Sequence, residues 1–413
     1  MQAGGFRNIV RSVLGAAVFL IASQAVTAQR TFYLPIKMAD GGQDPVAFMR
    51  PHYYIHQSAG SSLAAPPSTA FTPLQIRHAY GFDLVPNQGA GQTIGIVDAY
   101  DDANAEADLG AFSKQFSLPG CTSASGCFRK IYSNGRQPAA NANWSVEVAL
   151  DIEWAHAIAP QAKIILIETP TNNLTDLLSG VDVAVRNGAS VVSMSWTSAE
   201  FSGERSLDNH FVSSGVTFLA ASGDSGSGVN YPAASPDVVA VGGTSLALDR
   251  SGNYLSETAW SGSSGGLSKY EVEPLSQAQF PIVDDSHGTR GVPDVAYNAN
   301  PGTGYAIYDS ITISGARGWF QVGGTSAATP QWAALIAIAN SQRAAARKTN
   351  LAGTNAVVYT VGKSNLNTNF HAVTTGTNGS CGVLCDALTG YDYVTGLGTP
   401  QSKLLVPALA ARP

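Results

Sequence analysis

Five short apolar runs, separated by helical patterns, constrain the fold of this chain most. Each run has five or six residues and lacks the alternation of polar and apolar side chains that is typical of a strand with one solvent-exposed face. Strands buried on both faces have this composition, as in a parallel sheet covered by helices. The sequence therefore predicts an α/β fold: a doubly wound, mostly parallel sheet with helices on both faces. The predicted strands are residues 93–97, 163–167, 190–195, 216–220 and 237–241.

Helices and additions surround this predicted sheet. Two hairpins and a glycine-rich C-terminal loop region, residues 370–400, are added to it. In a doubly wound sheet the ligand site lies beyond the carboxyl ends of the strands, so candidate residues are sought there. The helices are predicted at residues 72–80, from about 103, at 143–159, 173–186, 207–214 and 331–340, and the hairpins at 246–259 and 303–313.

The N-terminus has the pattern of an export signal. Residues 1–28 combine a basic start, a short apolar core and small residues at a cleavage site. Residues 29–70 are irregular and rich in Gly, Pro and Ser, as expected of a leader or linker, and residues 71–410 form the main domain. No other segment approaches the roughly 18 apolar residues of a membrane span, so we expect no membrane association once the signal is removed. The expected location is secreted or periplasmic.

Charge and cysteine content limit the partners and the cellular compartment that fit this sequence. The 413 residues carry a net charge of −6 with no basic run, which excludes nucleic acid as the expected partner. Two close cysteine pairs, Cys121 with Cys127 and Cys381 with Cys385, predict two local disulfides outside the cytoplasm. A metal site built from all four is the alternative, which their spacing and the lack of a flanking histidine disfavour.

A glycine-rich octet at residues 323–330 precedes the last predicted helix. Its sequence is Gly-Gly-Thr-Ser-Ala-Ala-Thr-Pro, and Pro330 suits the first turn of a helix. Ser326 would then lie just ahead of a helix N-terminus, where a developing negative charge is stabilised. This favours a serine nucleophile. A glycine-rich turn with a capping hydroxyl is the alternative.

Two carboxylates on the helix at residues 143–159 form a candidate acid pair. Glu147 and Asp151 are four residues apart, on one face with tryptophans nearby. Like charges at this spacing repel, and burial raises the pKa of at least one of them. The pair thus suits general acid–base work, with one carboxylate orienting the other. The alternative is a solvated helix face, and we expect Glu153 and His156, on a different face, to be surface residues.

Two further aspartates follow predicted strands. Asp224 comes after the fourth strand, where a protonated carboxyl could donate a hydrogen bond to an oxyanion. An Asp turn is the alternative, and the residues alone favour it. Asp98 follows the first strand and is interpreted as a residue that caps or braces a turn.

As a set, these motifs resemble the sedolisins, the serine-carboxyl peptidases, which have a subtilisin-like fold. The resemblance runs from about residue 72 to residue 400. The matching segments are 324–330 for the nucleophile motif, 147–151 for the acid pair, 222–226 for the oxyanion aspartate, and the family segments 290–294 and 390–398.

The resemblance implies a role for each matching residue. Ser326 would be the nucleophile, Glu147 its general base, Asp151 the residue that orients Glu147, and Asp224 the oxyanion donor. The implied activity is that of a secreted, acid-active endopeptidase that cleaves proteins or peptides through an acyl-enzyme, with residues 71–410 as its catalytic domain.

The sequence departs from the family in two places. Family members carry a large N-terminal prodomain, whereas only residues 29–70 separate the signal from the main domain here. The family also binds calcium through two aspartates; Asp392 matches one, but Ala372 stands where the other would be. Because losing one charged ligand weakens a hard-cation site, calcium binding is doubtful. We expect a Cys381–Cys385 disulfide to stabilise the same loop instead.

Two rival functions remain open at this point. A histidine-dependent subtilisin-type protease would need a histidine on the helix that carries Glu147. His156 is off the carboxylate face, and His287 lies too far downstream. A non-catalytic secreted binding homologue is favoured only by the short leader and the incomplete calcium site.

Substrate-binding residues are harder to choose. Ser193, Ser195 and Trp196 are candidates for the substrate pocket, with Trp196 as easily a packing residue. The sequence indicates neither the cleavage specificity nor the oligomeric state.

Overall fold

The structure, a computed structural model, describes Met1 and residues 30–32, 50–51, 53–57, 64–282 and 288–413. The predicted signal peptide therefore lies outside the described residues except for Met1, and the leader is described only in short segments. The described strands are β1 Arg30–Phe32, β2 Arg50–Pro51, β3 Tyr54–Gln57, β4 Thr93–Ala99, β5 Phe128–Tyr132, β6 Lys163–Thr169, β7 Val191–Met194, β8 Trp196–Ala199, β9 Thr217–Ala221, β10 Asn230–Tyr231, β11 Val239–Leu248, β12 Tyr254–Ala259, β13 Gly266–Val272, β14 Thr289–Val292, β15 Val295–Asn298, β16 Tyr305–Ile313, β17 Ala316–Gly323, β18 Phe370–His371 and β19 Thr399–Pro400.

The helices alternate with these strands. The described 3₁₀ helices are Phe82–Leu84, Glu204–Phe211, Pro301–Thr303 and Gly382–Leu384. The described α-helices are α1 Pro73–Ala79, α2 Ala105–Gln115, α3 Ala142–Ile158, α4 Leu174–Arg186, α5 Leu275–Ala278, α6 Thr325–Ala345, α7 Thr354–Asn369 and α8 Ser402–Ala411.

A mostly parallel sheet forms the centre of the fold. Its strand order is β12-β11-β9-β7-β4-β6-β5, and β15 also pairs with β11. All pairs along β11-β9-β7-β4-β6-β5 are parallel, and only β12 pairs in the antiparallel direction. The residues of β7 and β9 are buried throughout, as their uninterrupted apolar sequences predicted. The predicted α/β fold with a mostly parallel sheet is confirmed.

Some element predictions need correction. The helix predicted at 207–214 is the 3₁₀ segment Glu204–Phe211. Residues 303–313 hold only the first strand of the longer β16–β17 hairpin. β5 was missed because it lies at the sheet edge, where its sequence Phe-Arg-Lys-Ile-Tyr leaves most residues partly exposed.

Parts of the leader pair with the main domain. β3 lies between β1 and β17 in a four-stranded sheet, and β2 pairs with β8. Ile55 in β3 is buried in the large hydrophobic cluster. The irregular leader predicted at residues 29–70 thus includes three short strands.

Helix α3 is buried on every side. Asn141 caps its N-terminus by accepting hydrogen bonds from the N–H groups of residues 143 and 144, and the helix ends before Pro160. Glu153 and His156 are fully buried, so the expectation that they lie at the surface is wrong. Glu153 accepts a hydrogen bond from the N–H of Tyr308, and His156 contacts the carbonyl oxygen of Pro119. Packing of α2, α6 and β16 around α3 leaves it no solvated face.

Both predicted disulfides are present. Cys121 is bonded to Cys127, and Cys381 to Cys385. In the part of the chain that the structure describes, none of the helices combines the length and the apolar content needed to cross a membrane.

Candidate active site

Ser326 lies in the first turn of α6, directly after the hairpin strand β17. Gly324 precedes the helix with φ 130°, a backbone conformation that glycine adopts readily. At Gly323 a Cβ atom would lie 2.5 Å from the backbone of Pro301, so only glycine fits there. The helix begins at Thr325, and Pro330 is therefore in its second turn rather than its first, which corrects the predicted position of the proline.

The position of Pro330 has a local consequence. Proline has no N–H to donate to the carbonyl oxygen four residues earlier, which belongs to Ser326. That oxygen instead lies 3.5 Å from the hydroxyl oxygen of Ser195. The hydroxyl of Ser326 in turn donates to the main-chain oxygen of Ser195 at 3.2 Å. The two serines thus join α6 to the chain at the end of β7.

Glu147 and Asp151 face this pair of serines from α3. Both carboxyl groups are fully buried. Asp151 accepts a hydrogen bond from the hydroxyl of Ser195 at 2.9 Å. The hydroxyl of Ser326 is close enough to Glu147 to lower its pKa as a hydrogen-bond donor. Because that hydroxyl donates to Ser195 in this arrangement, neither oxygen of Glu147 has a well-formed hydrogen bond among the described residues.

The acid pair favours its protonated forms. Burial is the main cause of the raised pKa of Glu147, followed by the charges of Asp151 and Asp98. The pKa of Asp151 is raised by burial and then by Asp98, while the Ser195 hydroxyl lowers it. Two buried carboxyls at this separation hold one proton far more readily than two negative charges. The pair can therefore accept a proton from a neighbouring hydroxyl only when it has lost at least one of its own.

Asp98 is a third buried acid beside this pair, at the end of β4. Burial raises its pKa to about 8. Neither of its carboxylate oxygens accepts a hydrogen bond from any described residue, so the interpretation that it caps or braces a turn is wrong. Sequence reasoning missed its place beside Glu147 and Asp151, although its position at the carboxyl end of a buried strand was a usable signal.

Asp224 contacts Thr325, the residue directly before Ser326. Its Oδ1 atom accepts hydrogen bonds from the N–H of Thr325 at 2.8 Å and from the Thr325 hydroxyl at 2.7 Å. Burial raises the pKa of Asp224 to about 7. In the neutral form the proton belongs on Oδ2, because Oδ1 already accepts two hydrogen bonds. A neutral Asp224 can therefore act as a hydrogen-bond donor.

A pocket of about 290 Å³ adjoins the Asp224 loop. Ala199, Glu200 and residues 227–229 line it. Residues 265–267, Lys269, Cys381 and Leu384 complete the lining. The pocket is thus largely apolar, with one carboxylate and one ammonium group in its lining.

The three predicted pocket residues are all fully buried but have different contacts. Ser195 contacts both Asp151 and Ser326, as described above. Ser193 is fully buried in β7, and its hydroxyl has no hydrogen-bond partner within the described ranges. Trp196 is also fully buried and donates from its indole nitrogen to the carbonyl oxygen of Val97 at 2.8 Å, which makes it a packing residue.

The loop where the family holds calcium does not fit that ion here. Asp392 accepts four hydrogen bonds from the loop itself: from the N–H groups of residues 388, 394 and 395 and from the Thr395 hydroxyl. Ala372 supplies no carboxylate. The single group of potential metal-binding side chains among the described residues is Cys121, Cys127 and His156, and its two cysteines form a disulfide.

His156, the histidine candidate that the structure describes, does not join the acid pair. His156 is on α3 but turns to Pro119, and burial lowers its pKa. His287 lies outside the described residues. The charges that raise the pKa of Glu147 belong to Asp151, Asp98 and Asp224, all of them acids.

Comparison with known proteins gives consistent matches. Residues 138–374 match the sequence profile of the Subtilase family. Kumamolisin from Bacillus sp. (strain MN-32) is 34% identical over 91% of this chain and 71% of its own length. Sedolisin from Pseudomonas sp. (strain 101) is 28% identical over 83% of this chain and 62% of its own length.

A solved structure is also similar. The complex of Pseudomonas sedolisin, a serine-carboxyl proteinase, with two molecules of pseudo-iodotyrostatin matches with a TM-score of 0.71 at 26% identity. The match covers 84% of this chain and 98% of that chain.

Proposed function

Because this chain belongs to the subtilase family, and within it to the sedolisins, whose fold is subtilisin-like, we propose that it is an acid-active endopeptidase. Its proposed nucleophile is Ser326, its general base Glu147, the residue that orients the base Asp151, and its oxyanion donor Asp224. Proteins and peptides are the proposed substrates.

The observation that carries the proposal is the position of the Ser326 hydroxyl beside buried carboxyl groups. Its hydroxyl acts on the pKa of Glu147 and lies beside Ser195, which binds Asp151. A buried serine hydroxyl next to a buried acid pair is suited to proton transfer when the pair is singly ionised. Asp224 approaches the same serine through Thr325.

The proposed reaction begins with a rotation of the Ser326 hydroxyl from Ser195 to Glu147. Glu147 accepts the proton as Oγ attacks the peptide carbonyl carbon, and neutral Asp224 donates a hydrogen bond to the developing oxyanion. Glu147 then returns the proton to the leaving amine. Water hydrolyses the acyl-enzyme by the same sequence, and Asp151 holds Glu147 in position throughout.

The proposed activity lies between two pKa limits. Asp224 has a pKa of about 7 and must be protonated to donate, which sets the alkaline limit. The Glu147–Asp151 pair must have lost one proton, which sets the acid limit. Secretion or periplasmic export is part of the proposal.

The test uses the full chain and a denatured protein substrate from pH 3 to 7. Ser326→Ala and Glu147→Gln should each lower kcat/KM by at least about 1,000-fold. Ser364→Ala is the matched control, because its exposed hydroxyl donates only to the carbonyl oxygen of Thr360 on its own helix. No hydrolysis by the wild type at any pH would favour the non-catalytic homologue. Full activity of Glu147→Gln would favour a histidine base.

A further inference from the structure

A short hairpin that is closed by a disulfide reaches the loop that carries Asp224. It comprises residues 376–387, whose two arms run antiparallel, and we call it the disulfide hairpin. Within it the N–H of Asn378 donates to the carbonyl oxygen of Cys385 at 3.0 Å. The disulfide between Cys381 and Cys385 closes its tip. The hairpin is therefore held together by both main-chain and covalent bonds.

Asn378 joins the disulfide hairpin to the loop that carries Asp224. Its carbonyl oxygen accepts a hydrogen bond at 3.0 Å from the N–H of Ser227, which lies three residues after Asp224. Its side-chain amide donates to the carbonyl oxygen of Ser263 at 2.8 Å. Asn378 is buried, so these hydrogen bonds are sheltered from water. One asparagine thus contacts the hairpin, the Asp224 loop and the segment around Ser263.

The segment around Ser263 binds the main chain on both sides of Asp224. Ser264 donates its N–H to the carbonyl oxygen of Gly223 at 2.8 Å. The hydroxyl of Ser264 accepts a hydrogen bond from the N–H of Ser225 at 3.2 Å. Because Gly223 and Ser225 are the two neighbours of Asp224 in sequence, this segment fixes the main chain of the proposed oxyanion donor.

The disulfide hairpin and the Asp224 loop pack with no space for another atom between them. At Gly226 a Cβ atom would lie 2.7 Å from the carbonyl oxygen of Asn378. At Gly379 it would lie 2.8 Å from Sγ of Cys385 and 2.9 Å from the hydroxyl oxygen of Ser227. Contacts this short leave no room for a methyl group. The position of Ser227 therefore depends on the position of the disulfide.

The tip of the disulfide hairpin also lines the pocket beside the Asp224 loop. Cys381 and Leu384 belong to its lining, together with residues 227–229. Ser227 is thus a lining residue as well as the partner of Asn378. Because close-packed groups transmit a displacement to their neighbours, a shift of the hairpin would change the shape of the pocket and move the Asp224 loop together.

We propose that the disulfide hairpin is part of the substrate site. Asn378 is a positioning residue that holds the loop of the proposed oxyanion donor, and the Cys381–Cys385 disulfide fixes the part of the pocket lining that contacts a substrate side chain. This inference rests on the proposed function. An oxyanion donor must lie where the negative charge develops, so a small displacement of Asp224 lowers the rate.

The first experiment tests whether Asn378 acts through Asp224. The full chain is assayed on a peptide at pH 4 as wild type, Asn378→Ala, Asp224→Ala and the combination of both changes. We expect Asn378→Ala alone to lower kcat/KM at least about tenfold, because it removes a buried hydrogen-bond donor. In the Asp224→Ala background the same change should cost less than about threefold, since no donor remains to be positioned.

Asn367→Ala is the matched control, because Asn367 is exposed on α7. Losses that multiply in the combined variant would overturn the role of Asn378, because a general structural effect does not depend on Asp224. Full activity of Asn378→Ala would overturn it too and leave the peptidase assignment standing. A wild type that hydrolyses no peptide at any pH overturns both proposals.

A second variant keeps this experiment decisive if Asn378→Ala fails to fold. Gly379→Ala then replaces it in the same four-way comparison, because the added methyl group separates Cys385 from Ser227. Gly120→Ala is its control, since no atom lies within 4 Å of the Cβ position there. We expect the same dependence on Asp224, and losses that multiply again overturn the positioning.

The second experiment tests the pocket lining. A mixture of peptides is digested at pH 4 by the wild type and by the double variant Cys381→Ser, Cys385→Ser, and the products are sequenced. We expect the preference for large apolar over small residues at the cut to fall at least about fivefold in this variant. The double variant Cys121→Ser, Cys127→Ser is the matched control, because its cysteines are not among the lining residues, and it should keep the wild-type preference.

An unchanged preference in the Cys381→Ser, Cys385→Ser variant would overturn the pocket role of its disulfide. An equal fall in both double variants would overturn it as well, because loss of either disulfide would then have the same effect. If the first double variant does not fold, Leu384→Ala replaces it, since this residue lines the pocket and leaves both disulfides intact. The same fall in preference is expected, and an unchanged preference overturns the role of the hairpin tip.

Discussion

The Ser195 hydroxyl donates a hydrogen bond to Asp151 at 2.9 Å, while the main-chain oxygen of Ser195 accepts one from Ser326 at 3.2 Å. One residue thereby connects the proposed nucleophile to the acid that orients the proposed base. Its hydroxyl also lowers the pKa of Asp151 against the effects of burial and of Asp98. Ser195 is therefore a positioning residue.

Ser195→Ala should lower kcat by about tenfold to a hundredfold with little change in KM, since a hydrogen bond to a charged group contributes about 1.5–3 kcal/mol. Loss of the donor raises the pKa of Asp151 further, so the acid limb of the kcat–pH profile should move to higher pH. Ser193→Ala is the matched control, a buried serine two residues earlier. Equal profiles for the two variants would contradict the role of Ser195.

Asp224→Ala should lower kcat by roughly 10²–10³-fold at pH 4, the usual cost of removing one oxyanion donor. Asp224→Asn should retain more activity, because an amide also donates. The wild-type rate should fall as the pH rises through about 7, where Asp224 ionises. The asparagine variant should lose this alkaline limb. An alkaline limb that persists in Asp224→Asn assigns it to another group.

Stability should fall as the pH rises from about 4 to about 8. Burial raises the pKa of Asp98 and Glu168 to about 8, and that of Asp102 to about 7, above the value near 4 of the unfolded chain. Each such group contributes stability that is complete below the unfolded pKa and is lost as the pH rises through the folded pKa. Thermal melts across this range check the direction.

Asp98→Asn tests one of these groups alone. Wild type and variant should have converging free energies of unfolding near pH 4. Above pH 4, the free energy of unfolding of the variant should exceed that of the wild type by about 1.4 kcal/mol more for each pH unit, up to about pH 8. Asp386→Asn is the control, because Asp386 is exposed. Parallel curves for Asp98→Asn and wild type would contradict burial of an ionisable Asp98.

Chelators should leave the melting temperature within about 1 °C, because Asp392 is committed to hydrogen bonds within its own loop. The double variant Cys381→Ser, Cys385→Ser should instead be destabilised by about 2 kcal/mol, the chain-entropy value for so short a loop. A large loss of stability in EDTA that added calcium restores would assign a calcium site to this protein.

The central sheet could be predicted because its strands are buried on both faces. A run such as residues 190–195 admits few other structures at that length. β5 was not predicted because an edge strand can be partly polar. Its Arg129 and Lys130 interrupt the apolar run that marks a buried strand. The leader strands escaped for a related reason: they pair through the main chain, which leaves little trace in the side-chain pattern.

The residues of the candidate site were predictable one by one, but not all of their surroundings. Helical spacing places Glu147 and Asp151 on one face, yet it does not show how many neighbours surround the helix. Glu153 and His156 are buried because α2 and β16 cover the faces that the spacing left open. Asp98 was misjudged because its neighbours in space come from another element.

Helix α3 has no solvated face, and its Glu147, Asp151 and Glu153 side chains are fully buried. Each of these carboxyl groups ionises more readily in water than in the protein interior. Ionisation of α3 and entry of water around it therefore favour one another, so this helix should open more often as the solution becomes more alkaline.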